Sequence, residues 1–390
     1  MLILLDCRPL QRTGSDSETT RLIISTVAAL SGDKDIEWLF VTDHTYRPAK
    51  HTWLPDPKAF PRARWMTIRV FPGSLGWKRW YDRRLPTLIR KYNPALVMLT
   101  GGVAAKAATA RQCLWMPLEA DPKAAATPPL YASRLDNSLD QAEAVFCFSE
   151  KDRVWLAGRR AVNATVAATE TPAQKVIVAR PTPSPIATPL EISEKEQLKQ
   201  HFSAGKEYFF TAAGNARETQ IIELLKAFSL FKKRQLSNLQ LVIAGTVTGG
   251  LREKMKSYKY GQDVHWVGPG DDSPMPAAYA VLFPFTGNSL GASLLDAWKA
   301  RVPALVAAGS RLHEMAGAAY GIAQDAALVA PSTDSAAWAA HMMSVYKDET
   351  LRSALIQRGV ARLSVFDPPA ALSALRFLIA SDETERRYNQ

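Results

Sequence analysis

The sequence predicts an α/β protein made of two halves, each a parallel β-sheet covered by helices. Three observations lead to this prediction. Short apolar runs alternate with longer segments of helical periodicity, a proline-rich segment at residues 175–189 interrupts the alternation, and the alternation then starts again. At 390 residues the chain is too long for one ordinary core, and its composition, 47% hydrophobic and 22% charged, is typical of a globular protein.

The first half contains six apolar runs of strand length before the proline-rich segment. Segments with helical periodicity lie between several of these runs. Because strands that alternate with helices usually pair in parallel, we expect a parallel sheet. The predicted strands are 2–6, 38–43, 65–71, 95–100, 113–118 and 144–149, and the predicted helices include one after Ser15-x-x-Glu18, one at 78–91 and one at 132–143.

The second half repeats this pattern after the proline-rich connector. The predicted strands are 208–214, 239–245, 264–268, 280–285, 303–307 and 327–331, and the predicted helices are 219–233, 291–300, 334–346 and 349–362. Two sheets of this kind lead us to expect a ligand in a cleft between the halves, facing the carboxyl ends of the strands.

The sequence argues against several classes of protein. Three widely spaced cysteines exclude a disulfide framework and favour a reducing compartment. The apolar opening MLILLD is interrupted by Asp6, so we interpret it as a strand rather than a secretory signal. The sequence contains no run of eighteen apolar residues, so we expect no membrane-spanning helix. The six histidines show no metal-ligand spacing, and dinucleotide-binding, P-loop and hydrolase motifs are lacking.

The formal charge of +11 is unevenly distributed. Lys and Arg outnumber Asp and Glu by nine in residues 1–180 and by only two in the remainder. The basic stretch 62–91 is interleaved with aromatic residues, a composition suited to an anionic membrane or a polyanionic substrate. A solvated face with aromatic residues in the core explains it equally, and nucleic acid is not expected because no nucleic-acid-binding motif accompanies the charge.

The second half resembles a known enzyme family. The segment YFFTAAGNARETQIIELLKAF at 208–228 resembles the start of the nucleotide-binding domain of group 1 glycosyltransferases, and FPFTGNSLGASLLDAWKARVPALVA at 283–307 resembles the family's signature. In the first half, DCRPLQRTG is similar to the family's first strand and glycine loop, and AEAVFCFSEKDRVWL to the strand that closes the first domain.

This resemblance implies the GT-B fold, in which two Rossmann-like domains flank a deep cleft and a C-terminal helix crosses back to the first domain. On this basis we expect an acceptor-side domain at 1–180, a proline-rich linker at 181–205, a nucleotide-sugar domain at 206–362, and a crossover helix and tail at 363–390. The family moves a sugar from a nucleotide diphosphate to an acceptor, with retention of anomeric configuration and usually without a metal or other cofactor.

The family's phosphate-binding positions are altered in this sequence. Gly214 stands where the family has an Arg, and Thr219 stands where it has a Lys. Arg217 lies close by and is a candidate for the missing cation, although an exposed loop arginine explains it as well. Diphosphate departure requires positive charge and helix N-terminal amides near the phosphates, so these changes bear on activity.

The sugar-binding motif is altered too. Asn288 replaces the first Glu of the Glu-x7-Glu motif and Asp296 the second, and Leu290 replaces a Phe beside the retained Gly291. Asn288 can hydrogen-bond a hydroxyl but carries no charge, whereas Asp296 keeps the charge on a shorter side chain.

Two further candidates lie in the first half. Gly14 sits in the loop after the first strand, where a glycine permits close approach of a ligand. Glu119 follows the strand at 113–118, near the position of a family His, and is expected to face the cleft. Turn chemistry for Gly14 and a surface or capping role for Glu119 are the ordinary alternatives.

Two functions remain open on the sequence. The first is a cytoplasmic glycosyltransferase that moves a hexose to a polysaccharide or lipid-linked acceptor, with the basic stretch 62–91 in peripheral contact with the inner face of an anionic membrane. The second is a catalytically inactive GT-B scaffold or glycan-binding partner in a glycan-assembly complex, which the missing Arg, Lys and Glu favour.

Overall fold

The fold was analysed in a computed structural model. It describes residues 1–13, 18–43, 60, 62–69, 73–106, 110–117, 130–163, 176–184, 187–214, 216–268, 273–285, 289–317, 325–366 and 370–388. The chain divides into two compact units: Met1–Pro181 together with Pro368–Gln390, and Thr182–Asp367.

The first unit contains a seven-stranded parallel sheet. Its strands are β1 (Leu2–Asp6), β2 (Glu37–Thr42), β3 (Ala63–Thr67), β4 (Leu96–Leu99), β5 (Arg111–Trp115), β6 (Ala144–Cys147) and β7 (Val176–Val178), in the order β3-β2-β1-β4-β5-β6-β7. Its helices are α1 (Arg8–Thr13), α2 (Glu18–Ala28), α3 (Ser74–Arg79), α4 (Leu85–Tyr92), α5 (Tyr131–Gln141) and α6 (Glu150–Asn163), and a π-helical turn at Trp80–Arg84 joins α3 to α4.

The second unit contains a six-stranded parallel sheet. Its helices are α7 (Ile192–Ser203), α8 (Glu218–Gln235), α9 (Gly249–Lys256), α10 (Ala292–Lys299), α11 (Arg311–Ala316), α12 (Ser335–Lys347) and α13 (Glu349–Arg362). Its strands are β8 (Tyr208–Ala212), β9 (Gln240–Ala244), β10 (Val264–Val267), β11 (Ala280–Phe283), β12 (Ala304–Ala307) and β13 (Leu328–Ala330), in the order β10-β9-β8-β11-β12-β13.

Both faces of the second sheet are buried, as continuous apolar strands require. Successive side chains of a strand point to opposite faces. Accordingly Phe209 packs with α8 residues such as Phe228 on one face, whereas Tyr208 and Phe210 pack with Phe202 of α7 on the other. The predicted pair of parallel α/β sheets is therefore confirmed.

The last helix, α14 (Ala370–Tyr388), returns to the first unit, as expected for a C-terminal crossover helix. It packs against α2 and β7, and the Arg111 guanidinium donates to the Leu378 carbonyl oxygen at 2.9 Å. Leu375 of this helix is fully buried.

The segment 181–205, predicted as a linker, contains helix α7. The helix begins after Glu191, whose backbone N–H donates to the Glu194 carboxylate at 2.8 Å. It packs against β9 and β10, so this part of the segment is built into the second unit.

One helical stretch in the described residues is long and apolar enough to cross a membrane. It runs from Glu349 to Ala380 with a mean hydropathy of 1.3, and 43% of its most apolar window is buried. The stretch combines α13 and α14, and core helices of globular proteins satisfy the same criterion.

Candidate functional site

The strand order of the second sheet reverses between β8 and β11. These strands are neighbours in register, with Phe209 opposite Ala280 and Phe210 opposite Val281. The segments that follow them therefore leave the carboxyl edge side by side. In open parallel sheets, ligands bind at this edge, at the point where the strand order reverses.

The segment after β8 places two predicted site residues at the start of α8. Gly214 has a φ of 46°, a left-handed conformation that favours glycine, and a methyl group added there would meet no atom within 4 Å. Arg217 is the residue before the helix and is exposed, and its backbone N–H donates to Gln220 Oε1 at 2.9 Å. An exposed guanidinium thus lies beside the positive end of a helix.

The segment after β11 is held by packing. Gly291, the residue before α10, has a φ of 95°, and a Cβ atom there would collide with the Met315 side chain and lie 3.1 Å from Leu312 Cδ2. Leu290 is buried. Arg311 donates to the Ser289 carbonyl oxygen at 3.1 Å, which ties this segment to α11.

Asp296 lies in the second turn of α10 and binds the protein's own backbone. Its Oδ1 accepts the N–H of Ser184 at 2.6 Å, and Lys299 Nζ donates to the Ser184 carbonyl oxygen at 2.7 Å. Burial raises the pKa of the Asp296 carboxyl, opposed by the Ser184 hydrogen bond and the Lys299 charge. Two side chains three residues apart therefore clamp both backbone groups of Ser184.

Three other predicted site residues, Gly14, Asn288 and Glu119, lie outside the described residues. Thr219, which stands at the family's Lys position, is exposed in the first turn of α8. Within the described parts of the chain, no three His, Cys, Asp or Glu side chains are grouped closely enough to hold a metal ion.

The first sheet also reverses its strand order, between β1 and β4, and a buried polar cluster lies at the end of β1. Arg8 Nε donates to Asp6 Oδ1 at 2.8 Å and Arg8 Nη2 to Asp6 Oδ2 at 2.6 Å, with both side chains fully buried. The guanidinium lies 3.1 Å from the centre of the Trp80 ring, whose Nε1 donates to Asp6 Oδ2 at 3.1 Å.

Sequence analysis missed this cluster. The sequence does contain a signal for it, since Asp6 ends an apolar strand and Arg8 follows two positions later. Both side chains therefore lie at the carboxyl edge of the sheet. Thr100, which follows β4, donates to the Asp6 carbonyl oxygen at 2.7 Å and so links the two strands on either side of the reversal.

The described residues of the basic stretch divide into core and surface. Trp77, Trp80 and Tyr81 are buried, whereas Leu75 is 78% exposed and the basic residues of α3 and α4 are exposed. The buried rings are part of the core of the first unit, so they present no aromatic surface to a membrane.

Comparison with known families identifies the second unit. Residues 193–362 match the family described as glycosyl transferases group 1. The matched region runs from α7 to the end of α13 and contains the β8–α8 and β11–α10 segments. No curated protein matches the chain in sequence.

Solved structures resemble the whole chain. A glycosyltransferase from Rickettsia africae has a TM-score of 0.71 at 11% identity, covering 97% of this chain and 97% of that one. Anabaena HepE in complex with UDP has a TM-score of 0.68 at 12% identity, covering 98% and 99%. Sucrose-phosphate synthase from Thermosynechococcus elongatus has a TM-score of 0.66 at 14% identity, covering 98% of each chain. At these identities the likeness establishes the fold, which is GT-B.

Proposed function

Because residues 193–362 belong to the group 1 glycosyltransferases, we propose that this protein transfers a hexose from a nucleotide-diphosphate sugar to a polysaccharide or lipid-linked acceptor. The observation that carries the proposal is the family match, which includes both segments at the strand-order reversal of the second sheet. Structural neighbours in complex with UDP, and with UDP-glucose, support a nucleotide sugar as donor.

The diphosphate is assigned to the carboxyl edge of the second sheet. Arg217 and the positive end of the α8 helix dipole supply positive charge there, and Gly214 leaves open space beside them. Gly291 and Leu290 shape the neighbouring segment at the start of α10.

The sugar hydroxyls are assigned to Asn288 and Asp296, a catalytic role to Glu119, and close approach of the bound donor to Gly14. An Asp296 carboxylate that bound a hydroxyl would do so while also accepting the Ser184 N–H, since a carboxylate has several acceptor positions. This arrangement would couple the donor sugar to the chain segment that enters the second unit.

In the proposed reaction, the bond between the anomeric carbon and the diphosphate oxygen breaks as an acceptor hydroxyl forms a new bond to that carbon. The hydroxyl proton passes to the departing diphosphate oxygen, and the remaining negative charge stays on the diphosphate. Arg217 and the helix N-termini stabilise that charge, so no metal is required. By analogy with the loss of one oxyanion donor, removing Arg217 would slow transfer by about 10²–10³-fold. We propose retention of configuration at the anomeric carbon, which requires the acceptor hydroxyl to attack on the same face from which the diphosphate leaves.

The protein is proposed to act in the cytoplasm, with its exposed basic residues on α3 and α4 in contact with the inner face of an anionic membrane. The attraction would be mainly electrostatic, because Trp77, Trp80 and Tyr81 of the same stretch are buried.

A second candidate function is an inactive scaffold or glycan-binding partner. Gly214 and Thr219 stand in place of the family's two phosphate-binding cations, and Asp296 is engaged with Ser184. Loss of both cations would remove much of the usual stabilisation of the leaving group.

Calorimetric titration of the full-length protein with UDP and GDP separates the two functions. Micromolar binding is expected for the enzyme, and the absence of detectable binding of either nucleotide supports the scaffold. Arg217→Gln should weaken binding, whereas Arg234→Gln, at the opposite end of α8 and also exposed, serves as the matched control and should not. Equal effects of the two variants would remove Arg217 from the site.

A further inference from the structure

A cavity of about 490 Å³ is lined entirely by residues of the first unit. Lys78 and Asp82 line one wall, Lys106 lies in the loop after β4, and Arg134 and Asn137 come from α5. The volume is within the usual range for small-molecule sites, about 300–1,000 Å³.

The loop that forms part of this cavity is held by hydrogen bonds. Ala104 N–H donates to Ser138 Oγ at 3.0 Å, and Ala105 exchanges two bonds with the buried Gln112 amide, at 2.8 and 3.2 Å. Lys106 N–H donates to the Tyr81 carbonyl oxygen at 3.1 Å. The backbone that carries Lys106 is therefore fixed on three successive residues.

The charges around the cavity do not cancel. Arg134 pairs with Asp82 through contacts of 2.7 and 2.8 Å, which leaves Lys78 and Lys106. Neither lysine ammonium forms an ion pair within the described parts of the chain. Hydrogen bonding by Arg134 lowers the pKa of Asp82, and the Lys106 and Lys78 charges lower it further, so both ammonium groups act on this carboxylate. The cavity thus carries an excess of two positive charges.

The helix that presents Lys78 and Asp82 departs from α-helical geometry at the cavity. Trp80–Arg84 form a π-helical turn in which the Leu85 N–H donates to the Trp80 carbonyl oxygen. The next carbonyl, that of Tyr81, accepts the Lys106 N–H instead. Such turns occur frequently at functional sites, and this one joins the two lysine-bearing segments.

We propose that this cavity binds a phosphate or diphosphate group of the acceptor substrate. The identification of the ligand as the acceptor rests on the proposed function. The binding of phosphate to this cavity does not depend on that function. The ammonium groups of Lys78 and Lys106 neutralise the phosphate charge, and the Arg134–Asp82 ion pair links the helical stretch that carries Lys78 to α5. Asn137 and Gln141 supply amides for neighbouring hydroxyl groups.

The test is titration of the full-length protein with inorganic pyrophosphate. Lys78→Gln with Lys106→Gln removes both uncancelled charges, and Arg79→Gln with Arg90→Gln removes two exposed charges of the same helical region that do not line the cavity. We expect the first pair to weaken binding at least about tenfold, judged by the loss of hydrogen bonds to charged groups, and the control pair to change it less than about twofold.

Equal losses in the two double variants would overturn the proposal, as would an absence of pyrophosphate binding in the wild type. A loss caused by Arg217→Gln instead would assign the anion to the second unit and overturn it too. Circular dichroism of each variant verifies folding.

Two further arms identify the source of the phosphate. Lysine-dependent binding of glucose 1-phosphate supports a soluble sugar phosphate, and lysine-dependent binding of a monomeric short-chain phosphatidic acid, which presents no membrane surface, supports a lipid. UDP binding should survive in the lysine variant. If the wild type binds pyrophosphate in this cavity but binds no nucleotide, the proposed function fails while the cavity assignment stands.

Discussion

The buried Asp6–Arg8 pair offers a quantitative test of how the first sheet is stabilised at its carboxyl edge. Arg8→Met keeps much of the side-chain volume but removes the guanidinium that makes two hydrogen bonds to Asp6 and stacks on Trp80. The Asp6 carboxylate would remain fully buried, and the Trp80 N–H would be the side-chain donor that still contacts it within the described parts of the chain. Removing one partner of a buried pair costs about 3–5 kcal/mol.

In a unit of about two hundred residues this loss corresponds to a melting temperature lower by roughly 6–20 °C, because each kcal/mol shifts it by about 2–4 °C. Thermal unfolding followed by circular dichroism measures the shift, and hydrogen exchange of peptides from β1 and β4 assigns it to the first unit. Asp6→Asn with Arg8→Met should recover a large part of the loss, since no uncompensated charge remains. If Arg8→Met melts within about 2 °C of wild type, or if the double variant is no more stable than the single one, the buried ion pair does not stabilise the first sheet in this way.

Three other predictions concern the start and second turn of α10. Gly291→Ala should cost about 1–3 kcal/mol, measured by denaturant unfolding, because the added methyl group meets the Met315 side chain at a positive φ; wild-type stability would contradict this. Asp296→Ala should abolish turnover of the donor, and Asp296→Asn, which can still accept the Ser184 N–H, should retain the fold; an unchanged rate in Asp296→Ala would remove the assignment. Because burial raises the folded-state pKa of Asp296, the wild type should lose stability relative to Asp296→Asn as the pH rises from about 4 through the folded-state value; a difference that is the same at pH 4 and pH 7 would contradict the raised pKa.

The fold was predictable because its signals are local. A fully buried parallel strand needs a continuous apolar run and the helix that follows needs a 3.6-residue period, so strands such as β8 and β9 and helices such as α8 and α13 were found with their ends within a few residues. Helix α7 was missed because four prolines precede it and dominated the interpretation of 181–205. The Glu191-x-x-Glu194 pattern at its start was a usable signal.

The contacts of the candidate site were less predictable because they join residues far apart in the sequence. Asp296 binds Ser184 across 112 positions, and nothing in the LLDAW segment indicates that partner. Gly291 was identified as a ligand-approach residue, yet its packing against Met315 gives it a role in the fold as well. In the basic stretch, sequence periodicity did not separate the buried Trp80 from the exposed Lys78, which lie two positions apart on one helix.

The central claim is that the second unit binds a nucleotide diphosphate where its strand order reverses. A crystal structure of the full-length protein grown with UDP or GDP measures this most directly. We expect diphosphate density beside Gly214 and Arg217, between the ends of β8 and β11. Well-ordered nucleotide bound elsewhere in the molecule would contradict this claim. So would a structure at saturating nucleotide in which the protein's own side chains fill the carboxyl edge of the second sheet.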